Sequence, residues 1–295
     1  MNQRSKTACW IEAMRLRTLP VSIAGVVMAT GLAIAGGRFR WLPALLCFLF
    51  AVLAQIASNF ANEYYDYRDG LDAPGREGPR RGVTEGDITP QAMLRATYLT
   101  LGLACAIGCS LIAFGGWWLL PVGIVIALGA LAYSTGPYPL SRHGLGEVTV
   151  IFFFGIIPVT LTYYVQALQC PTPVWLSSIA LGLMGANVLI INNYRDADAD
   201  RGVGKRTLAV ILGRNAVRFI YLLNGLAAAA LTARLWTGMP PAALAVPLIY
   251  LSGHLAIWAV MLRRTGHRLT PLLAATSMLM LVYAAGYTIA VAATH

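Results

Sequence analysis

Residues 42–72 read LPALLCFLFAVLAQIASNFANEYYDYRDGLD. The first 21 of them carry no charge, and the last ten hold Glu63, Asp66, Arg68, Asp69 and Asp72. An uncharged run of that length is enough helix to cross a hydrocarbon layer of about 30 Å. Carboxylates gathered at its end are costly beside lipid and need a cation or a positive partner. The stretch therefore sets both the fold and the search for function: a membrane-spanning helix that delivers acidic groups to one end.

The rest of the chain agrees. Its 295 residues are 58% hydrophobic and 12% charged, with a mean hydropathy of +0.65. A soluble protein would carry about a quarter charged residues. The expected fold is an all-α polytopic membrane protein, a single domain over residues 1–295. Nine spans are predicted, at 18–36, 42–64, 93–113, 117–135, 147–167, 174–194, 216–235, 241–262 and 270–291. Between the third and fourth, Gly115-Gly116-Trp117-Trp118 reads as a tight hairpin with aromatic anchors at the interface.

Charge gives an orientation. With the N-terminus in the cytoplasm, nine spans leave only Arg38, Arg40 and Arg234 outside, of 22 Lys and Arg in all. All twelve acidic residues fall on the inner side. The net charge of +10 then reports topology and an anionic substrate, and calls for no nucleic-acid partner. The basic leader, the apolar run and Ala33-Ile34-Ala35 have the outline of a signal peptide. Both leader and run are longer than a signal would have, so the segment is read as a retained span. The five cysteines and four histidines show no metal-ligand spacing.

The second span carries Gln55, Asn59, Asn62, Asp66 and Asp69 at steps of four, three, four and three. That spacing keeps them on one helix face. Gln55 and Asn59 read as helix-to-helix glue. The carboxylates of Asp66, Asp69 and Asp72 ask for more than glue, and Gly70 offers a helix stop. The sixth span ends in a second such cluster, NNYRDADAD, with Asn192, Asn193, Asp196 and Asp200. Asp196 and Asp200 share a face, and Asp198 points elsewhere, into solvent. Each cluster is followed by a basic loop, RRGVTEGDIT at 80–89 and DRGVGKRTLAV at 200–210. The pairing reads as a diverged internal repeat, whose copies would share a site where they meet. Carboxylates are hard ligands suited to Mg²⁺, which keeps its waters and bridges to phosphate. Arg and Lys beside them suit the remaining phosphate oxygens. A metal-bound diphosphate is the chemistry this pattern suggests. A cation-coupled transporter is the reading from another class. The gathering of carboxylates at one membrane face argues against it.

The motifs Asn62-x3-Asp66-x5-Asp72 and Asp196-x3-Asp200 resemble those of the UbiA-type intramembrane prenyltransferases. More narrowly, RLRTLPVSIAGVVMATGLA at 15–33, QIASNFANEYYDYRDGLD at 55–72, REGPRRGVTEGDIT at 76–89, YSTGPYPLSRHGLGEVTVIFFFG at 133–155 and INNYRDADADRGVGKRTLAVILGR at 191–214 resemble the 1,4-dihydroxy-2-naphthoate polyprenyltransferases of menaquinone synthesis. The resemblance implies nine helices around a central cavity, in a bacterial inner membrane. It implies transfer of a polyprenyl group from a polyprenyl diphosphate to 1,4-dihydroxy-2-naphthoate, with loss of diphosphate and CO₂. Prenylation of 4-hydroxybenzoate or homogentisate is the alternative within the same fold. Asn62, Asp66, Asp72, Asp196 and Asp200 would hold Mg²⁺. Arg80, Arg81, Lys205 and Arg206 would grip the diphosphate, Lys205 foremost, and Asn192, Asn193 and Arg195 would line the second motif. Asp66, Asp196 and Tyr133 would act in catalysis. Glu63 stands where the family has Asp. No lysine follows Tyr133, and the nearest basic residue is Arg142. Phe152, Phe153, Tyr163 and Tyr164 are candidates to shield an allylic cation by cation–π contact.

Overall fold

The computed structural model describes residues 5–72 and 80–294. All regular structure among them is helical: α1 (Lys6–Ala13), α2 (Leu19–Ala35), α3 (Trp41–Arg68), α4 (Pro90–Ser110), α5 (Ile112–Gly115) and α6 (Leu119–Ala132), then α7 (Gly146–Val150), α8 (Ile157–Ala167), α9 (Thr172–Gly202), α10 (Leu208–Thr232), α11 (Ala245–Met261) and α12 (Thr270–Ala292). Residues 76–79 of the first basic loop lie outside the described residues.

Eight helical stretches of the described residues are long and apolar enough to span a membrane. The predicted fourth span, 117–135, is the exception: it is α6, a 14-residue apolar helix. At 1.5 Å per residue it covers only about 21 Å. The turn at Trp117 and Trp118 takes its start, and its end gives way to a turn at Tyr133 and Ser134. The nine expected spans are thus eight long helices and one short one.

Helix α9 is the axis of the bundle. In its most apolar stretch 72% of the residues are buried, against 11% in the stretch Pro90–Gly115, which faces outward. Val21 and Met28 of α2, Leu181 and Met184 of α9, and Met280 and Tyr283 of α12 form the main core. Between α7 and α8 the chain makes a π-helical turn over Ile151–Ile156. Here α9 comes so close that a Cβ on Gly155 would lie 2.3 Å from the Cα of Gly182. Small residues let backbones approach in this way inside membranes.

Two helices overrun their predicted ends. Helix α3 continues past residue 64 to Arg68, and α9 past residue 194 to Gly202. Asn62 and Asp66 of the first cluster and the whole of the second therefore sit on helix, where the 3.6-residue period fixes which side chains share a face, while Asp69 caps α3 and Asp72 lies beyond it. Gly70, at φ +69°, takes the left-handed conformation expected of the stop after α3.

Candidate active site

A chamber of about 470 Å³ lies where the ends of α3 and α9 face each other. Asn62 and Asp66 line it from α3; Asn192, Asn193, Arg195, Asp196 and Asp200 line it from α9. Arg80, Arg81, Tyr133 and Lys205 line it as expected, and Arg15, Arg17 and Thr207 join them; Asp72 and Arg206 of the expected set are not in the lining.

The stripe on α3 divides by function. Gln55 accepts from Ser22 Oγ at 2.9 Å, and Asn59 donates to the Met14 carbonyl at 2.9 Å. These two bind α3 to the N-terminal segment, as glue should. Asn62 is the hub one turn on. Its Oδ1 accepts from Arg15 at 2.7 Å and Arg81 at 3.2 Å, while Nδ2 donates to Asp66 Oδ2 at 3.1 Å and Ser134 Oγ at 3.2 Å.

Asp66 is 1% exposed and ringed by cations. Lys205 Nζ lies 3.2 Å from its Oδ2, Arg142 Nη2 3.6 Å from Oδ1 and Arg81 Nη2 4.0 Å from Oδ2. Asp72 meets Arg81 Nε at 3.1 Å. Asp69 sits outside the chamber at the helix cap, bound to Arg68 at 2.7 Å and Arg142 at 2.8 Å. The Arg68 guanidinium, then Arg142, hold its carboxyl below the usual carboxylate range.

The α9 cluster is organised differently. Arg195 is fully buried and forks onto Asp196, Nε to Oδ1 at 2.6 Å and Nη2 to Oδ2 at 2.8 Å. Nη2 also reaches Asn192 Oδ1 at 2.9 Å. Asp200 is buried one turn on, whereas Asp198 faces solvent and pairs with Arg214 at 2.9 Å. Asn193 lines the chamber too, and its Nδ2 donates to Glu147 Oε1 at 2.8 Å. Arg80 is half-exposed and pairs with Asp87 at 2.7 Å at the rim. Arg206 is exposed and outside the lining; its backbone N–H donates to the Arg142 carbonyl at 2.9 Å.

Three residues of this assembly were not singled out for the site from the sequence. Arg15 follows α1 with φ 51° and ψ 55°, a left-handed conformation unusual for a side chain of this kind and often tied to function. Arg142 spans Asp66, Asp69 and the Ser134 carbonyl. Glu147 is buried behind Asn193. Its sequence signals are a lone acid in an apolar stretch and a place in the family-like stretch 133–155.

A second cavity of about 140 Å³, almost wholly apolar, runs between α3, α4, α6 and α8. Gln55, Ser58, Tyr133 and Phe154 line both cavities and so mark their junction. Of the aromatic candidates only Phe153 lines a cavity. Phe152 is exposed, Tyr163 is buried in the main core and Tyr164 binds Trp118 Nε1 at 3.1 Å.

No three His, Cys, Asp or Glu side chains among the described residues form a ready metal cage. Mg²⁺ seldom uses one; it binds through one or two carboxylates plus substrate phosphates. The donors fit that mode, because Asp66 Oδ1 is buried and makes no hydrogen bond.

The profile of the UbiA prenyltransferase family matches residues 24–284. The chain is 41% identical to the 1,4-dihydroxy-2-naphthoate octaprenyltransferase of Escherichia coli K12 over 226 residues, covering 74% of this chain and 73% of that one. It is 37% identical to the enzyme of the same name from Mycobacterium tuberculosis, covering 94% of each. A UbiA homologue from Aeropyrum pernix K1 shares the fold with a TM-score of 0.71 at 17% identity, over 91% of this chain and 97% of that one. Another, from Archaeoglobus fulgidus, solved with DMAPP and Mg²⁺, has a TM-score of 0.66 at 13% identity, over 95% and 99%. The protein is an integral membrane member of the UbiA prenyltransferase family.

Proposed function

We propose that the protein transfers a polyprenyl group from an allylic polyprenyl diphosphate to 1,4-dihydroxy-2-naphthoate, giving demethylmenaquinone with release of diphosphate and CO₂. One observation carries the reaction type: a cation-rich chamber and an apolar cavity that meet at Gln55, Ser58, Tyr133 and Phe154. A prenyl diphosphate has the same division, with an anionic head and a hydrocarbon tail. The acceptor rests on the curated relatives, which carry the name 1,4-dihydroxy-2-naphthoate octaprenyltransferase.

Arg15, Arg81 and Lys205 bind the head through charge-assisted hydrogen bonds. Their charge favours the diphosphate more as it departs than before, because negative charge builds on it as the C–O bond breaks. Asp66, with Asn62, Asp72, Asp196 and Asp200, would hold Mg²⁺, which would supply Lewis-acid stabilisation of that same charge. With the head in one cavity and the tail in the other, the reacting carbon lies at the junction. Tyr133, Phe154 and Phe153 are the aromatic faces nearest it. The apolar walls keep water from the allylic cation. The same assignment implies a bacterial inner membrane with the N-terminus in the cytoplasm.

Turnover in detergent with a polyprenyl diphosphate and 1,4-dihydroxy-2-naphthoate, with and without Mg²⁺, tests the reading. The expected result is demethylmenaquinone that disappears on chelation. Product with a different phenol alone would replace the acceptor, and no transfer to any aromatic by folded protein would remove the reading.

A further inference from the structure

The pair Glu147–Asn193 lies beside the junction of the two cavities and has no task in the diphosphate site. Glu147 is 7% exposed and stands on α7 within the apolar stretch 146–167. Its Oε1 accepts from Asn193 Nδ2 at 2.8 Å, and its Oε2 is buried with no hydrogen-bond partner. A buried carboxyl in a membrane helix is costly and marks function more often than packing. The adjacent Gly146 places this turn against Tyr133: a Cβ there would lie 3.8 Å from the Tyr133 hydroxyl. Asn193 itself lines the chamber.

A carboxamide has a donor end and an acceptor end, and a carboxylate can only accept. Glu147 therefore fixes the sense of Asn193: Nδ2 is committed to the carboxylate, and Oδ1 is left to the chamber. Among the described residues no donor answers that oxygen. The acceptor ring must reach the reacting carbon at the junction, and a dihydroxyaryl ring brings O–H groups that need acceptors once buried.

We propose that Glu147 is a positioning residue for the aromatic acceptor, orienting Asn193 so that its Oδ1 accepts a hydrogen bond from a ring hydroxyl. This rests on the prenyl-transfer reading above and adds the residue pair that selects a hydroxyaryl acceptor. A hydroxyl held there is oriented with its ring against the allylic carbon.

The test compares Glu147→Ala, Glu147→Gln and Asn193→Ala with the wild type, all purified in detergent and checked for monodispersity. Two quantities are read: KM for each substrate with the other saturating, and equilibrium binding of 1,4-dihydroxy-2-naphthoate by tryptophan fluorescence. Glu147→Ala and Asn193→Ala are expected to weaken acceptor binding and raise its KM by about tenfold, the loss of one hydrogen bond in a buried site. The KM for the prenyl diphosphate is expected to stay within about twofold. Glu147→Gln can still accept from Asn193 Nδ2 and is expected to restore most of the acceptor affinity. Unchanged acceptor binding in folded Glu147→Ala would overturn the proposal, as would an equal rise in both KM values or a Gln variant no better than Ala. Wild-type protein that binds the acceptor in a Glu147-dependent way yet transfers nothing would support the subsite and remove the transfer reading alone.

Discussion

Lys205 Nζ and Asp66 Oδ2 are 3.2 Å apart, although 139 residues separate them in the chain. The contact ties the basic loop after α9 to the acidic motif of α3, so the two copies of the motif form one site. Replacing Lys205 with Met is expected to raise KM for the prenyl diphosphate by about 10- to 100-fold, through loss of a charge-assisted contact and exposure of Asp66 to an unbalanced site. The acceptor KM should change little. Steady-state kinetics with each substrate varied in turn is the check.

Asp66 and Asp196 should fail in different ways. Asp66→Asn removes the carboxylate whose Oδ1 makes no hydrogen bond, and turnover should drop about 10²–10³-fold with only a modest fall in melting temperature, since Arg81 and Arg142 keep Asp72 and Asp69 as partners. Asp196→Asn strips a buried guanidinium of its bidentate partner. Breaking such a pair costs about 3–5 kcal/mol, so this variant should also melt well below the wild type. Thermal unfolding in detergent beside turnover separates the two. Equal melting temperatures would refute the division.

Gly155 and Gly182 touch backbone to backbone, and Gly155→Val has no room to relax. A loss of about 1–3 kcal/mol is expected from forced separation of the π-helical turn and α9. A melting temperature within a degree of wild type would show that the crossing is looser than the geometry states.

Gly129 in α6 faces the Phe153 ring, and an added Cβ would lie 2.3 Å from its Cζ. Gly129→Ala is expected to push that ring into the apolar cavity and shift preference toward shorter donors, by about tenfold in the ratio of kcat/KM values. Competition between farnesyl and longer diphosphates reads this directly. An unchanged ratio would place the tail elsewhere.

The membrane class and the two-motif site were legible because they rest on local patterns. An apolar run shows in any window, and the four-three spacing of Asn62 and Asp66 puts them on one face whatever surrounds the helix. Asp198 could be set apart from Asp196 and Asp200 for the same reason. What escaped depends on distant packing. Arg15 and Arg142 are single basic residues in loops, and only the tertiary fold carries them to Asn62 and Asp66. The grip of Arg195 on Asp196 was hidden because neighbours in sequence ordinarily diverge around a helix. Here the long arginine curls back, since burial leaves it no water to reach. Tyr163 and Tyr164 misled because an aromatic in an apolar helix looks alike whether it faces core, lipid or cavity.

The ring of cations around Asp66 also has a history in time. Arg81 is made soon after the aspartate, and Arg142 follows. Lys205 arrives 139 residues later, which at about 5–20 residues per second is roughly 7–28 s of synthesis. Until then Arg81 and Arg142 are the only members of the ring already made. The last cation of the ring is thus supplied only when α9 is complete, so the site cannot assume its final charge balance before the second motif is made.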